Sequence, residues 1–150
     1  MEKNMEQTRK HLKFSSLAIL ALAGLSLINI VSELLLGELN NAEIPAGSPD
    51  NILLITKVIL MVVSLVCLLP QVYIGIKGLK VAKKPDSSKA HIVWGIILLA
   101  FAIIGMVSPL VAVIKQDEVF ENASALLSIL IEVAFFYDYV KYARVVAKAN

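Results

Sequence analysis

The stretch Ile92–Ile114, IVWGIILLAFAIIGMVSPLVAVI, contains no charged residue. A helix needs about 20 such residues to cross a ~30 Å hydrocarbon core. Three more segments read the same way: Phe14–Leu36, Ile52–Ile76 and Ala123–Ala143. Together the four take up most of the chain, leaving no room for a second domain. Hydrophobic residues make up 58% of the 150 residues and charged residues 17%, and the mean hydropathy is +0.78. That is too apolar for a soluble domain, and a soluble bundle would need charged outer helix faces that these segments lack. The expected fold is all-α, an integral membrane four-helix bundle.

The connections set the expected orientation. Lys3, Arg9, Lys10 and Lys13 precede the first segment, and Glu38, Glu43 and Asp50 follow it. The second connection carries Lys77, Lys80, Lys83, Lys84 and Lys89 against Asp86. The third has Lys115 against Asp117, Glu118 and Glu121, and the C-terminal tail has Lys141, Arg144 and Lys148. Basic and acidic connections alternate. Lys and Arg stay on the cytoplasmic side, so the chain is expected to lie N-in and C-in, in the plasma membrane. Phe14, Tyr73, Trp94, Tyr137, Tyr139 and Tyr142 fall toward the same ends, where aromatic rings settle at headgroup level. The first segment is too long for a signal-peptide core and no A-x-A site follows it, so it is expected to remain as an anchor.

Two pairs of segments resemble each other. Tyr73–Val81 lies over Tyr137–Val145 as Y-x-x-[IV]-K-x-x-[KR]-V, and Lys13 with Val31-Ser32-x-Leu34 lies over Lys89 with Val107-Ser108-x-Leu110. A tandem pair of helical hairpins is one reading. The other is that apolar helices ending in Tyr and Lys look alike by shared physics.

Each span carries a stripe of small or polar residues. These are Ser26, Asn29 and Glu33, then Lys57, Ser64, Gln71 and Gly78. His91, Gly95, Ala102, Gly105 and Pro109 follow, then Ser124, Ser128 and Glu132 with Phe135, Tyr139 and Tyr142 beyond them. Helices in lipid associate through small residues and polar contacts, so the stripes are expected to face the bundle interior. Gly105 is expected to let two backbones approach.

Ionisable residues inside spans are candidates for function, because a charge in hydrocarbon costs ~3 kcal/mol or more. Glu132, Lys57, Asn29, Glu33 and Ser108 form one expected polar level, with Lys57 as partner to Glu33 or Glu132. Gln71 and Asp138 form a second level nearer the cytoplasm, beside Pro70, which removes a helical hydrogen bond.

Pro70-Gln71 followed by Lys77 resembles the signature of PQ-loop sugar and amino-acid transporters. That fold is built of three-helix repeats, which a four-helix chain with one Pro-Gln does not contain. No HExxH, GxSxG, phosphate loop or paired-cysteine motif is present, and Cys67 is the single cysteine. The expectation is a non-enzymatic membrane protein acting through helix–helix association, with itself as a homo-oligomer or with a larger membrane complex. The alternative is a small oligomeric transporter or channel using the Lys57/Glu132 level. Anionic headgroups at the cytoplasmic face are expected partners. No cofactor, metal or nucleic acid is expected.

Overall fold

A computed structural model describes residues 2–36, 50–84, 89–115 and 119–149. Side chains at 2, 3, 33–36, 50–54, 56, 57 and 60 lie outside that description. The described residues form helices and their short ends: α1 (Glu2–Leu36), α2 (Asp50–Lys83), α3 (Ala90–Gly105), α4 (Val107–Ile114) and α5 (Val119–Lys148). Four of the resulting spans are long and apolar enough to cross a membrane, with α3 and α4 together making one.

The helices run beyond the apolar segments that define the spans. Lys77–Lys83 continues α2, Lys141–Lys148 continues α5, and α1 begins ahead of Phe14. The charged flanks contain good helix formers, and nothing interrupts them until Pro85 disfavours α geometry at the residue before it. The early turns of α1 also dock. Leu12 is buried, and the His11 ring stacks on Tyr142 with centroids 4.8 Å apart. The same segment carries a Lys10–Glu6 ion pair of 2.8 Å, too exposed to contribute much.

Pro109 explains the break between α3 and α4. It has no N–H to give the carbonyl of Gly105, and its ring crowds that carbonyl. The Met106 N–H still bonds back into α3, shared between its ordinary partner, the carbonyl of Ala102 (3.2 Å), and that of Ile103 (3.3 Å). Helical bonding resumes with Leu110 N–H donating to Met106 O at 3.1 Å.

The bundle is a ring in which α1 packs on α2 and α5, and α3 packs on the same two. Its core occupies one end only. Leu12, Ser15, Ser16, Ile19 and Ala23 of α1 meet Ile74, Gly75, Gly78, Val81 and Ala82 of α2. His91, Ile92 and Gly95 of α3 join them with Phe136, Tyr139, Val140, Ala143 and Val146 of α5. Among the described residues, nothing is buried after Ala23, before Ile74, after Gly95 in α3–α4, or before Phe136 in α5.

Small residues make the packed end possible. A Cβ on Gly75 would stand 2.5 Å from Leu20 Cγ, and one on Gly78 would overlap Ser16 Oγ and stand 2.5 Å from Tyr139 Cε2. A Cβ on Gly95 would lie 3.1 Å from both Tyr139 Cδ1 and Val140 Cγ2. Tyr139 thus fills the space that Gly78 and Gly95 leave on either side, and it is fully buried. It is a core residue and not part of a headgroup belt. Phe14, Tyr73, Trp94 and Tyr137 remain exposed. The buried serines bond to their own helix: Ser16 Oγ–H donates to Leu12 O at 2.6 Å and Ser15 Oγ–H to His11 O at 3.1 Å. They help by being small, not by bridging helices.

At the other end the stripes pack loosely: among the described residues, Gly24 and Gly105 have nothing within 4 Å of a would-be Cβ. The expected close approach at Gly105 is not seen among the described residues, whose buried side chains all lie at the opposite end of the bundle. Ser124 and Ser128 are exposed and bond to Glu121 O (2.7 Å) and Ser124 O (3.1 Å) of their own helix.

The hairpin resemblance extends partly to burial. Ser15, Ser16 and Ile19 of α1 and His91, Ile92 and Gly95 of α3 are buried at the spacing that links Lys13 to Lys89. In the other pair the buried faces align Ile74 with Tyr139, Gly75 with Val140, Gly78 with Ala143 and Val81 with Val146. That register is one residue away from the one in which Tyr73 matches Tyr137.

Candidate functional site

A cavity of about 440 Å³ lies beyond the packed end, between α2, α3 and α5. The helix faces that form the core continue into its walls. On α5 the face runs Ile129, Glu132, Phe136 and then buried Tyr139. On α2 it runs Cys67, Pro70 and Gln71 and then buried Ile74; on α3 it includes Trp94, Leu98, Phe101 and Gly105. Core packing therefore sets the rotation of each helix, and that rotation turns Glu132 toward Gln71 and the rings of Trp94, Phe101 and Phe136.

The walls are mostly apolar. Their polar groups are the Glu132 carboxylate, the Gln71 amide, the Cys67 thiol and the Trp94 indole N–H. Among the described residues no ion pair joins a cation to Glu132.

The cavity reaches the lipid-facing surface. A second, apolar groove of about 340 Å³ is lined by Val66, Leu69, Pro70, Tyr73 and Trp94. Pro70 and Trp94 line both spaces, so the outer groove and the Glu132 cavity adjoin at the α2–α3 gap.

The expected polar residues divide. Glu132 and Gln71, assigned to different levels from the sequence, line one cavity. Asn29 and Ser108 are exposed on their helices, and Asp138, half-buried, is not among the cavity's lining residues. Lys141, a sequence neighbour of Asp138, lies over the Tyr142 ring at 5.2 Å from its centroid. The side chains of Glu33 and Lys57 lie outside the described residues. In α2, position 57 stands about 15 Å along the axis from Cys67, at 1.5 Å per residue. Trp94, Phe101, Phe136 and Cys67 did not stand out as site residues in the sequence. The signal that could have found them was the helical spacing of Ile129, Glu132 and Phe136, which prolongs the face of Tyr139.

Among the described residues no three His, Cys, Asp or Glu side chains are placed to hold a metal ion. No family model matches the chain, and no curated protein or solved structure matches it.

Proposed function

We propose that this chain is a small, non-enzymatic, multi-pass membrane protein whose working site is the Glu132 cavity. It takes an amphipathic cation there from the bilayer, as the binding step of a small transporter. One observation carries the reading: a carboxylate faces an aromatic, otherwise apolar cavity with no cation beside it among the described residues. A carboxylate in such surroundings is costly unless paired. A bound cation offsets that cost, and the Trp94, Phe101 and Phe136 rings attract its charge as well as its apolar body. The α2–α3 groove supplies a lateral entrance for a ligand already dissolved in lipid. Distribution of Lys and Arg supports an N-in and C-in placement, in the plasma membrane.

Trp94, the only tryptophan, lines the cavity and serves as reporter. Tetraphenylphosphonium added to the protein in maltoside micelles is expected to change Trp94 emission saturably. Tetraphenylborate, of the same shape and opposite charge, is expected not to. Glu132→Gln should weaken the cation's effect at least tenfold while leaving the helical circular dichroism intact. Equal responses to the two ions, or an unchanged response in Glu132→Gln, would overturn the reading.

A second reading is favoured by Gly24, where a Cβ would meet no described atom within 4 Å, and by the exposed Asn29 and Ser108. Small and polar residues on a lipid-facing surface suit a partner helix. On this reading the loosely packed end is where another copy, or a larger membrane complex, docks. Oligomer formation that is lost in Gly24→Leu and kept in Glu132→Gln would favour it over ligand binding.

A further inference from the structure

A second cavity, of about 460 Å³, lies at the opposite, packed end of the bundle, where α3 begins and α5 finishes. Its rim carries Lys89, Arg144 and Lys148, and its floor is Ile92, Val93 and Ala147. Among the described residues no acidic side chain lines it. We propose that this pocket binds the phosphate group of an anionic glycerophospholipid, with an acyl chain lying along α3.

The chemistry and the placement agree. Three cations gathered around one cavity repel each other, and an anion between them relieves the repulsion. Arg144 offers a planar fork that matches phosphate oxygens, with Lys89 and Lys148 as point charges on either side. Helix α3 starts here with no side-chain cap at Lys89, so its positive end adds to the field. The pocket also sits at the right depth. Lys89 immediately precedes a span without charges, and the exposed Val93 and Ile96 extend the apolar floor along the lipid-facing side of α3. A free phosphate would use the rim and leave that floor uncovered, whereas a phospholipid uses both. Basic pockets between spanning helices at the membrane surface take such headgroups.

This site differs from a general attraction of basic loops to an anionic membrane. Lys80, Lys83 and Lys84 carry the same number of charges at the same end of the bundle and do not line the pocket. They therefore provide the control. Thermal unfolding of the protein in maltoside micelles is followed with added dioleoyl phosphatidylglycerol, dioleoyl phosphatidylcholine or inorganic phosphate. Phosphatidylglycerol is expected to raise the midpoint saturably, and the other two are not. The variant Lys89→Gln/Arg144→Gln/Lys148→Gln should need at least tenfold more phosphatidylglycerol for half the effect. Lys80→Gln/Lys83→Gln/Lys84→Gln should respond as the native chain does. All six side chains are exposed or half-exposed at their tips, and matched midpoints without lipid verify that both variants fold. If the first variant does not fold, the single change Arg144→Gln is expected to weaken the response and Lys83→Gln is not. Equal effects of the two lipids, or equal losses in the two variants, would overturn the proposal. So would a full response to inorganic phosphate, which would make the ligand a soluble anion.

Discussion

At the scale of single residues, the packed end depends on three glycines and one tyrosine. Gly78→Ala forces a methyl group into Ser16 and Tyr139 and is expected to cost about 1–3 kcal/mol, the usual range for overpacking. Gly105→Ala meets open space and should be neutral or slightly stabilising, since Ala gains roughly 0.5–1 kcal/mol over Gly within a helix. Unfolding midpoints in detergent compare the two. Equal tolerance would mean that the close contact at Gly78 is not tight. Tyr139 contributes its ring and not its hydroxyl, which is buried and has no hydrogen-bond partner among the described residues. Tyr139→Phe should therefore leave stability unchanged or raise it, because it removes an unsatisfied buried group. Tyr139→Ala should cost ~3–5 kcal/mol, as for other large-to-small core changes. A destabilisation by Tyr139→Phe approaching that of Tyr139→Ala would show the hydroxyl to be bonded.

At the scale of elements, what matters is how far each helix slides along its neighbour. The sequence offers Lys57 as a partner for Glu132, because both are charges inside spans. In the folded chain α5 sets Glu132 beside Cys67, Pro70 and Gln71 of α2, and position 57 is about 15 Å further along. Lys57→Met and Glu132→Gln are therefore expected to be additive, with a double-mutant coupling below about 0.5 kcal/mol. Substantial coupling, measured by unfolding in detergent, would require a different register of α2 on α5. The same register accounts for the site residues that were hard to read. Periodicity along one helix shows which residues share a face, but not which level of the next helix that face meets. Trp94 reads as an interface aromatic, and both it and Phe101 remain partly exposed. Only the offset of α3 against α5 brings them to Glu132.

At the scale of the whole molecule, the loop charges make a test of orientation. In a Cys67→Ser background, cysteines at Ser48 and Gln116 are expected to react with impermeant thiol reagents in intact cells, and one at Ser87 is not. Labelling at position 87 would reverse the assignment N-in and C-in. Composition and hydrophobic runs alone determine that the chain is helical, has four spans and belongs in a bilayer. The reason is that a hydrocarbon solvent leaves backbone groups few ways to be satisfied, and runs of about 20 apolar residues meet that demand locally. Charge alternation between the loops is likewise a property of the chain in order. Where the helices pack tightly was not legible, although the residues responsible, Gly75, Gly78, Gly95 and Tyr139, are plain in the sequence. Gly24 and Gly105 look equivalent to them along the chain, yet among the described residues no atom lies within 4 Å of a Cβ built on either. Lipid does not penalise an exposed apolar face, so apolar pattern carries no instruction about which face must be covered. Tertiary contacts alone decided that the core lies at one end, that Glu132 and Gln71 share a cavity beyond it, and that Lys89, Arg144 and Lys148 converge at the other.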